Sequence, residues 1–351
     1  MLLFQRILRP ISFLYEGVLR LRNHLYNKEF FGSTEFDIPT INVGNLAFGG
    51  TGKTPHIEYL INLLSTNFHV SILSRGYKRK TLGYVFADKN SSPFSIGDEP
   101  FQMHHKFPQI NVAVCENRVL GIPNLLMDAP NTDLILLDDA YQHRALKPGL
   151  NILLTEQNKL YVDDYLVPSG YLREYPSAAK RADIIVVTKC DINLDDKTKA
   201  EITQRLAIKD HQSIYFSFIK YGELKPLFNT KAISKNTSVL AIAGIANPGN
   251  FKKYLDSNFN SVLLKSFPDH HILSEKEIHE IINLYKNLPN GNSIIVCTEK
   301  DSQKLFHSPF AEELKNYPIY YLPIEISFFD SDKEAFNQKI IHYVNTNRSN
   351  N

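Results

Sequence analysis

Lys53 and Thr54 close the run Ala47-Phe48-Gly49-Gly50-Thr51-Gly52-Lys53-Thr54, where glycines, a lysine and a hydroxyl follow one another in the order that binds polyphosphate. Gly49, Gly50, Thr51 and Gly52 can turn backbone N–H groups inward around an anion. The helix that follows adds partial positive charge, Lys53 can bridge β- and γ-phosphate oxygens, and the Thr54 hydroxyl can hold Mg²⁺. Ala47 stands where the general pattern has glycine, which requires a negative φ there. A glycine-rich turn with a chance Gly-Lys-Thr is the alternative. The flanks oppose it: Ile41 and Val43 mark a strand before the loop, and Ile57, Leu60, Ile61 and Leu64 recur at helical spacing after it. Pro55 is tolerated in a first helical turn whose N–H has no partner.

A second element suits the same chemistry. Asp133-Leu134-Ile135-Leu136-Leu137-Asp138-Asp139 is an apolar strand ending in two carboxylates, which can reach a magnesium ion beside a phosphate loop. Taken alone, such a run is equally a strand ending in a solvated acidic turn. His143 follows in Gln142-His143-Arg144, placed over a nucleotide or beside the acidic pair. Between the two elements lies Gly97-Asp98-Glu99-Pro100. Phosphoryl transfer to an alcohol needs a carboxylate that aligns the hydroxyl and takes its proton, and Asp98 is the candidate. On spacing alone, an exposed turn capping a helix near Pro100 explains these residues as well. Arg75 and Tyr77, with Lys78 and Arg79 just past the strand Val70–Leu73, suit an anionic substrate at the sheet edge where doubly wound folds bind ligands. Arg118 is a candidate for stabilising the transferring group, or a surface charge. Pro268-Asp269-His270-His271 is a turn with adjacent titratable groups, and His270 can accept or orient protons near neutral pH. No further ligands at suitable spacing make it a zinc site. Thr188-Lys189-Cys190-Asp191 resembles the guanine-specifying element of GTPases, although asparagine usually stands first.

Apolar runs at Leu134–Leu137, Ile152–Leu154, Ile184–Val187, Val239–Ala243, Val262–Leu264, Ile294–Val296 and Ile319–Leu322 alternate with helical spacings. The clearest helix holds Ile278, Ile281, Ile282 and Tyr285, capped by Ser274 and Glu277. This pattern predicts an α/β fold with a mostly parallel sheet covered on both faces, of the P-loop NTPase type. Lys, Gly, Pro, Asn and Ser crowd residues 218–237. The expected organisation is an N-terminal segment 1–30, a P-loop domain 31–217, a linker 218–237 and a second, smaller α/β domain 238–351.

The 351 residues are 43% hydrophobic, enough for one large or two medium domains. Cys115, Cys190 and Cys297 lie far apart and support neither a disulfide framework nor a zinc site, which fits a reducing cytoplasm. A net charge of +2 argues against a nucleic-acid binder. The first 30 residues carry Arg6, Arg9, Arg20, Arg22 and Lys28 against Glu16 and Glu29, among many leucines and aromatics. The uncharged stretch Pro10–Tyr15 falls far short of the roughly 20 residues that span a bilayer. The segment is expected to be an amphipathic helix lying on an anionic membrane surface, or else packed on the protein's own core.

Together these motifs resemble the tetraacyldisaccharide 4′-kinases of lipid A synthesis. Further markers of the resemblance are Ser74-Arg75-Gly76-Tyr77, Asp138-Asp139-Ala140-Tyr141-Gln142-His143-Arg144, Ala243-Gly244-Ile245-Ala246-Asn247-Pro248, Phe267-Pro268-Asp269-His270-His271 and Thr298-Glu299-Lys300-Asp301. The resemblance implies ATP and Mg²⁺ as cofactors and phosphorylation of the 4′-hydroxyl of an acylated glucosamine disaccharide 1-phosphate. It places the chain, without an obligate protein partner, at the cytoplasmic face of the bacterial inner membrane. It also implies that Asp98 and His270 form the base dyad, that Asp138 and Asp139 hold magnesium, and that Glu99 and Arg118 complete the site. Two α/β/α lobes joined by a short β linker are implied as well. Lys78 departs from the family, which commonly has glycine there, and Gly149 stands where an acidic residue is common. The other reading of the motifs is a regulatory P-loop GTPase or ATPase acting on a protein partner. A third is an enzymatically silent nucleotide binder.

Overall fold

A computed structural model describes residues 2–245, 247–269, 271–289 and 291–348, with side chains from Leu8 onward. Two compact units divide the chain: Met1–Ile219 with Ile326–Asn351, and Lys220–Glu325.

The first unit begins with α1 (Leu2–Asn27) and continues through β1 (Thr40–Asn45), α2 (Lys53–Leu64), β2 (Val70–Ser74), β3 (Val85–Phe86), α3 (Pro93–Ile96) and α4 (Asp98–Lys106). There follow β4 (Asn111–Val114), α5 (Arg118–Asp128), β5 (Leu134–Asp138), β6 (Leu150–Glu156), β7 (Ile184–Thr188), α6 (Asp196–Leu206) and β8 (Ser213–Tyr221). The second unit holds β9 (Lys225–Pro226), β10 (Ser238–Ala243), α7 (Gly249–Asn258), β11 (Ser261–Ser266), α8 (Glu275–Lys286), β12 (Ser293–Thr298), α9 (Glu299–Phe306), α10 (Ala311–Leu314) and β13 (Ile319–Leu322). The chain then returns through β14 (Ile324–Phe328) to α11 (Asp330–Asn347).

Nine strands form the larger sheet in the order β14-β8-β7-β6-β1-β5-β2-β4-β3. The pairings from β8 across to β4 are parallel, and β3 runs antiparallel to β4. Strand residues alternate between the two faces. Leu134 and Leu136 of β5 join Ile57, Leu60, Ile61 and Leu64 of α2 on one side, whereas Ile135 and Leu137 meet Ile122 and Leu125 of α5 on the other. Burial on both faces explains why these strands read as continuous apolar runs. The mostly parallel α/β fold expected from the sequence is the one observed.

The second unit has five strands in the order β11-β10-β12-β13-β9, parallel except for β9. Ile278, Ile281 and Ile282 of α8 are buried in its core. The capping box forms: Glu277 N–H donates to Ser274 Oγ at 3.4 Å, and Ser274 N–H donates to Glu277 Oε2 at 2.8 Å. Ser274→Ala is expected to cost about 1 kcal/mol in urea unfolding, since it strips the cap from an otherwise unchanged helix.

The domain bounds read from composition differ from these units at their ends. Residues 218–221, expected to open the linker, are the end of β8, and the C-terminal stretch belongs with the first unit. Phe336, Ile340 and Val344 of α11 share a core with α2, so the second unit stops near residue 325 rather than at 351.

Candidate active site

The phosphate loop leaves β1 at Asn45 and enters α2 at Lys53. Gly49 and Gly52 take φ of 114° and 91°, values open to glycine and costly for other residues. Ala47 is not among the residues with positive φ, which meets the condition its side chain imposes. Three braces hold the loop. Asn45 Nδ2 donates to Thr51 Oγ1 (2.8 Å), Thr188 Oγ1 donates to Thr51 O (2.9 Å), and His56 Nδ1 lies 2.7 Å from Gly52 O. A carbonyl only accepts, so Nδ1 carries the proton and Nε2 takes the Ser217 hydroxyl at 3.0 Å. Of the Thr188–Asp191 run, Thr188 thus braces the loop, while the next residues pair elsewhere. Lys189 Nζ pairs with Glu156 Oε1 at 2.7 Å, and Gln157 Oε1 accepts from Asp191 N–H.

Burial lowers the His56 pKa from its ordinary 6.5 to about 4, against the raising effect of the Gly52 carbonyl. Because the folded value lies below the unfolded one, the unfolded chain takes up this proton first as the medium is acidified. Stability is complete above pH 6.5 and falls as pH drops towards 4, by roughly 3 kcal/mol if the whole shift is realised. Urea midpoints of wild type and His56→Gln between pH 7 and 4.5 check this: wild type should lose its advantage as acidity rises.

Beside the loop, β5 ends at Asp138 and Asp139 follows it, and the two fare differently. Asp138 is buried and its pKa rises to about 7, through desolvation first and then the charges of Glu99 and Asp139. Ser74 Oγ donates to its Oδ2 at 2.8 Å. For Asp139 burial also pushes upward, but Lys53 and Arg173 overcome it and hold the pKa at about 2. Lys53 Nζ lies 3.7 Å from Asp139 Oδ2, and Arg173 forms a fork, Nη1 to Oδ2 at 2.9 Å and Nη2 to Oδ1 at 2.7 Å. The Lys53 ammonium and the bidentate guanidinium together outweigh the desolvation of this carboxylate. Asp139 itself sits at φ 49°, and Gly44 lets the turn close, since a Cβ there would lie 2.6 Å from that of Tyr141.

Asp98 and Glu99 form the first turn of α4, both half-buried. Gly97, at φ 92°, packs its Cα face on Gly76 and the Tyr77 carbonyl, which brings the Ser74–Tyr77 loop against the start of α4. A buried contact fixes α4 to the phosphate-loop helix: Glu58 of α2 accepts from Gln102 Nε2 (2.8 Å) and Lys106 Nζ (2.8 Å) of α4. Arg118 is buried, not a surface charge, and its Nη2 donates to Asp138 O at 3.1 Å. Burial, then the charges of Arg118 and Arg75, lower the pKa of His143, keeping it neutral at pH 7. Arg75 and Tyr77 are exposed, and Lys78 adopts φ 62°, a left-handed conformation that glycine takes without strain. At Gly149 a Cβ would meet the hydroxyl of Tyr343, which accounts for glycine in this chain.

His270 lies outside the described residues. Around it, Lys300 Nζ pairs with Asp269 Oδ1 (3.0 Å) and His271 Nε2 with Glu277 Oε1 (2.8 Å). Asp301 accepts from Gly244 N–H and Thr298 Oγ1 at 2.8 and 2.6 Å, so two of the sequence markers brace each other within the second unit.

Arg173 is the residue that sequence reasoning missed. It lies in an irregular segment with no periodicity, and only folding brings it to Asp139. Its Nη2 also donates to the backbone and side-chain oxygens of Asn45. Among the described residues no set of three or more His, Cys, Asp or Glu is arranged to hold a metal alone. The donors nonetheless fit Mg²⁺ bound with a nucleotide, which takes one or two carboxylates and fills its shell from phosphates and water. Buried polar atoms without a hydrogen-bond partner, Arg118 Nε, Gln142 Oε1, His143 Nε2 and Arg173 Nε, lie on the residues around the same place, as expected where a polar ligand belongs.

Fold and site define a P-loop phosphotransferase. A family model described as tetraacyldisaccharide-1-P 4′-kinase matches residues 4–345. The tetraacyldisaccharide 4′-kinase of Bacteroides thetaiotaomicron is 45% identical, covering 98% of this chain and 94% of that protein. The Flavobacterium johnsoniae protein of the same name is 45% identical with 98% of each covered. A crystal structure of LpxK from Aquifex aeolicus in complex with ATP superposes with a TM-score of 0.75 at 29% identity, covering 97% of this chain and 99% of that one. The chain belongs to the tetraacyldisaccharide 4′-kinase family.

Proposed function

We propose that this chain transfers the γ-phosphoryl group of ATP to the 4′-hydroxyl of a tetraacylated glucosamine disaccharide 1-phosphate in lipid A synthesis. The observation that carries the reading is the convergence, within the first unit, of the phosphate loop, the Asp138–Asp139 pair and the acidic first turn of α4. Loop amides and Lys53 hold the β- and γ-phosphates. Thr54, Asp138, Asp139 and Glu99 are the donors available to Mg²⁺, which supplies charge neutralisation across those phosphates. The acceptor oxygen bonds to the γ-phosphorus as the β–γ bridge breaks, its proton passes to the Asp98 carboxylate, and ADP leaves. The family resemblance assigns His270, outside the described residues, to assist a base; Arg118 offsets charge on the group in transit, His143 lies against the nucleotide, and Arg75 and Tyr77 meet the acceptor. Arg173 keeps Asp139 ionised and aimed.

An acylated acceptor sits in a bilayer, and α1 suits delivery to it. No described helix is long and apolar enough to cross a membrane. Ile11, Leu14, Val18 and Leu21 are nonetheless exposed at helical spacing on α1, by 53 to 74%, beside the exposed cations Arg9 and Arg20. Such a stripe suits the interface of an anionic leaflet, here the cytoplasmic face of the inner membrane. The test is to incubate purified protein with γ-phosphate-labelled ATP and the disaccharide lipid in mixed micelles. Label should move to the lipid. Label released only as free phosphate, or transferred to a protein, would contradict the proposal.

A further inference from the structure

The opposite face of α1 has its own partners. Ser12, Tyr15, Leu19 and Asn23 recur at intervals of three or four, which sets them on one side of the helix. Leu19 and Asn23 are buried, and the polar members reach a single stretch, residues 166–175. Ser12 Oγ donates to Leu166 O at 3.1 Å, Tyr15 Oη donates to Arg173 O at 3.1 Å, and Asn23 Nδ2 donates to Glu174 Oε1 at 2.9 Å. That stretch is in turn paired with the phosphate loop. Phe48 N–H donates to Tyr171 O and Arg173 N–H to Leu46 O, both at 2.7 Å, and Ala47 bridges Leu172 antiparallel. The Arg173 side chain then forks onto Asp139. Helix, stretch and loop are thus layered so that the stretch has α1 on one side and the nucleotide's cradle on the other.

We propose that α1 is a structural part of the nucleotide site as well as a membrane contact, with Tyr15 and Asn23 as positioning residues that hold Arg173 and the phosphate loop in register. Arg173 lies in irregular chain outside the two sheets, so its placement depends on the short bridge to Leu46–Phe48 and on what else it leans on. Two of the supports are side chains of α1. The outward stripe of the same helix is the surface that the proposed function assigns to lipid, and the inference rests on that reading only for its consequence: docking the helix would steady the phosphate site at the place where the acceptor is found.

Binding of a fluorescent ATP analogue with Mg²⁺, in lipid-free buffer, tests the positioning role independently of any lipid chemistry. Tyr15→Phe is expected to weaken this binding about fivefold, the scale of one lost hydrogen bond, and Asn23→Leu at least as much, since Asn23 donates to Glu174 and Tyr175 and accepts from Arg144. In micelle kinetics both should raise KM for Mg·ATP rather than KM for the lipid. Leu14→Ser with Val18→Ser should do the reverse, weakening binding to anionic phospholipid vesicles while lipid-free nucleotide binding stays as in wild type. Tyr15→Phe removes a single oxygen, so it keeps the test open if Asn23→Leu does not fold. Wild-type nucleotide binding in folded Tyr15→Phe and Asn23→Leu, or a change confined to KM for the lipid, would overturn the inference and leave α1 as an anchor alone. A failure of lipid phosphorylation in wild type would overturn the proposed function without touching this result.

Discussion

Lys53→Ala is expected to lower kcat by roughly 10³-fold or more, about 4 kcal/mol of lost transition-state stabilisation, measured as labelled lipid formed at saturating Mg·ATP. In the proposed function the lysine is the cation that follows the γ-phosphoryl oxygens through transfer, so its removal would be felt most when charge is spread over that group. The structure adds a second consequence. Lys53 is the largest influence holding Asp139 ionised against burial, followed by Arg173. Without it Asp139 keeps Arg173 and the weaker influence of the Arg118 charge but loses the cation that acts on it most. Lys53→Arg is not expected to rescue, because a planar fork does not occupy the space of a compact ammonium. A variant retaining a tenth or more of wild-type turnover would remove Lys53 from the transferring group.

Asp98→Asn should lower kcat by roughly 10²–10⁴-fold while KM for ATP stays within about twofold, the pattern of a lost proton acceptor with intact nucleotide contacts. Asparagine preserves the shape and the helical first turn, so a fall in rate cannot be laid to a disturbed α4. The arrangement behind this expectation is the contact of Gly97 on the Gly76–Tyr77 turn and the Glu58 link between α2 and α4, which together place the acidic turn relative to the loop. A raised KM with unchanged kcat would instead make Asp98 a binding residue.

How much of this was legible in the sequence depended on whether the signal was local. The phosphate loop was, because glycines at left-handed positions and the flanking strand and helix all lie within a few turns of chain. Asp138–Asp139 was legible for the same reason, as was the α8 capping box. The difference between the two carboxylates was not, since it rests on the burial of Asp138 and on Arg173, 34 residues from Asp139, as well as on Lys53. Arg118 read equally as a surface charge, because burial of an arginine leaves no mark on its neighbours in sequence. His56 sits among the apolar positions of α2 and gave no sign that it braces Gly52 against Ser217. The end of the second unit was misjudged because no change of composition marks the return of the chain through β14. Only the packing of Phe336, Ile340 and Val344 against α2 reveals it.

The regulatory reading loses its main support at Lys189, whose ammonium is engaged with Glu156, while Thr188 is occupied beneath the loop. What distinguishes a kinase from a switch is the fate of the phosphoryl group. Phosphorus–proton correlation spectroscopy of the product formed from ATP and the disaccharide lipid reads that fate at one atom. The account predicts a new phosphate ester coupled to the proton on the 4′ carbon, formed in step with ADP. Inorganic phosphate as the sole new phosphorus species, or an ester at any other sugar position, would contradict it.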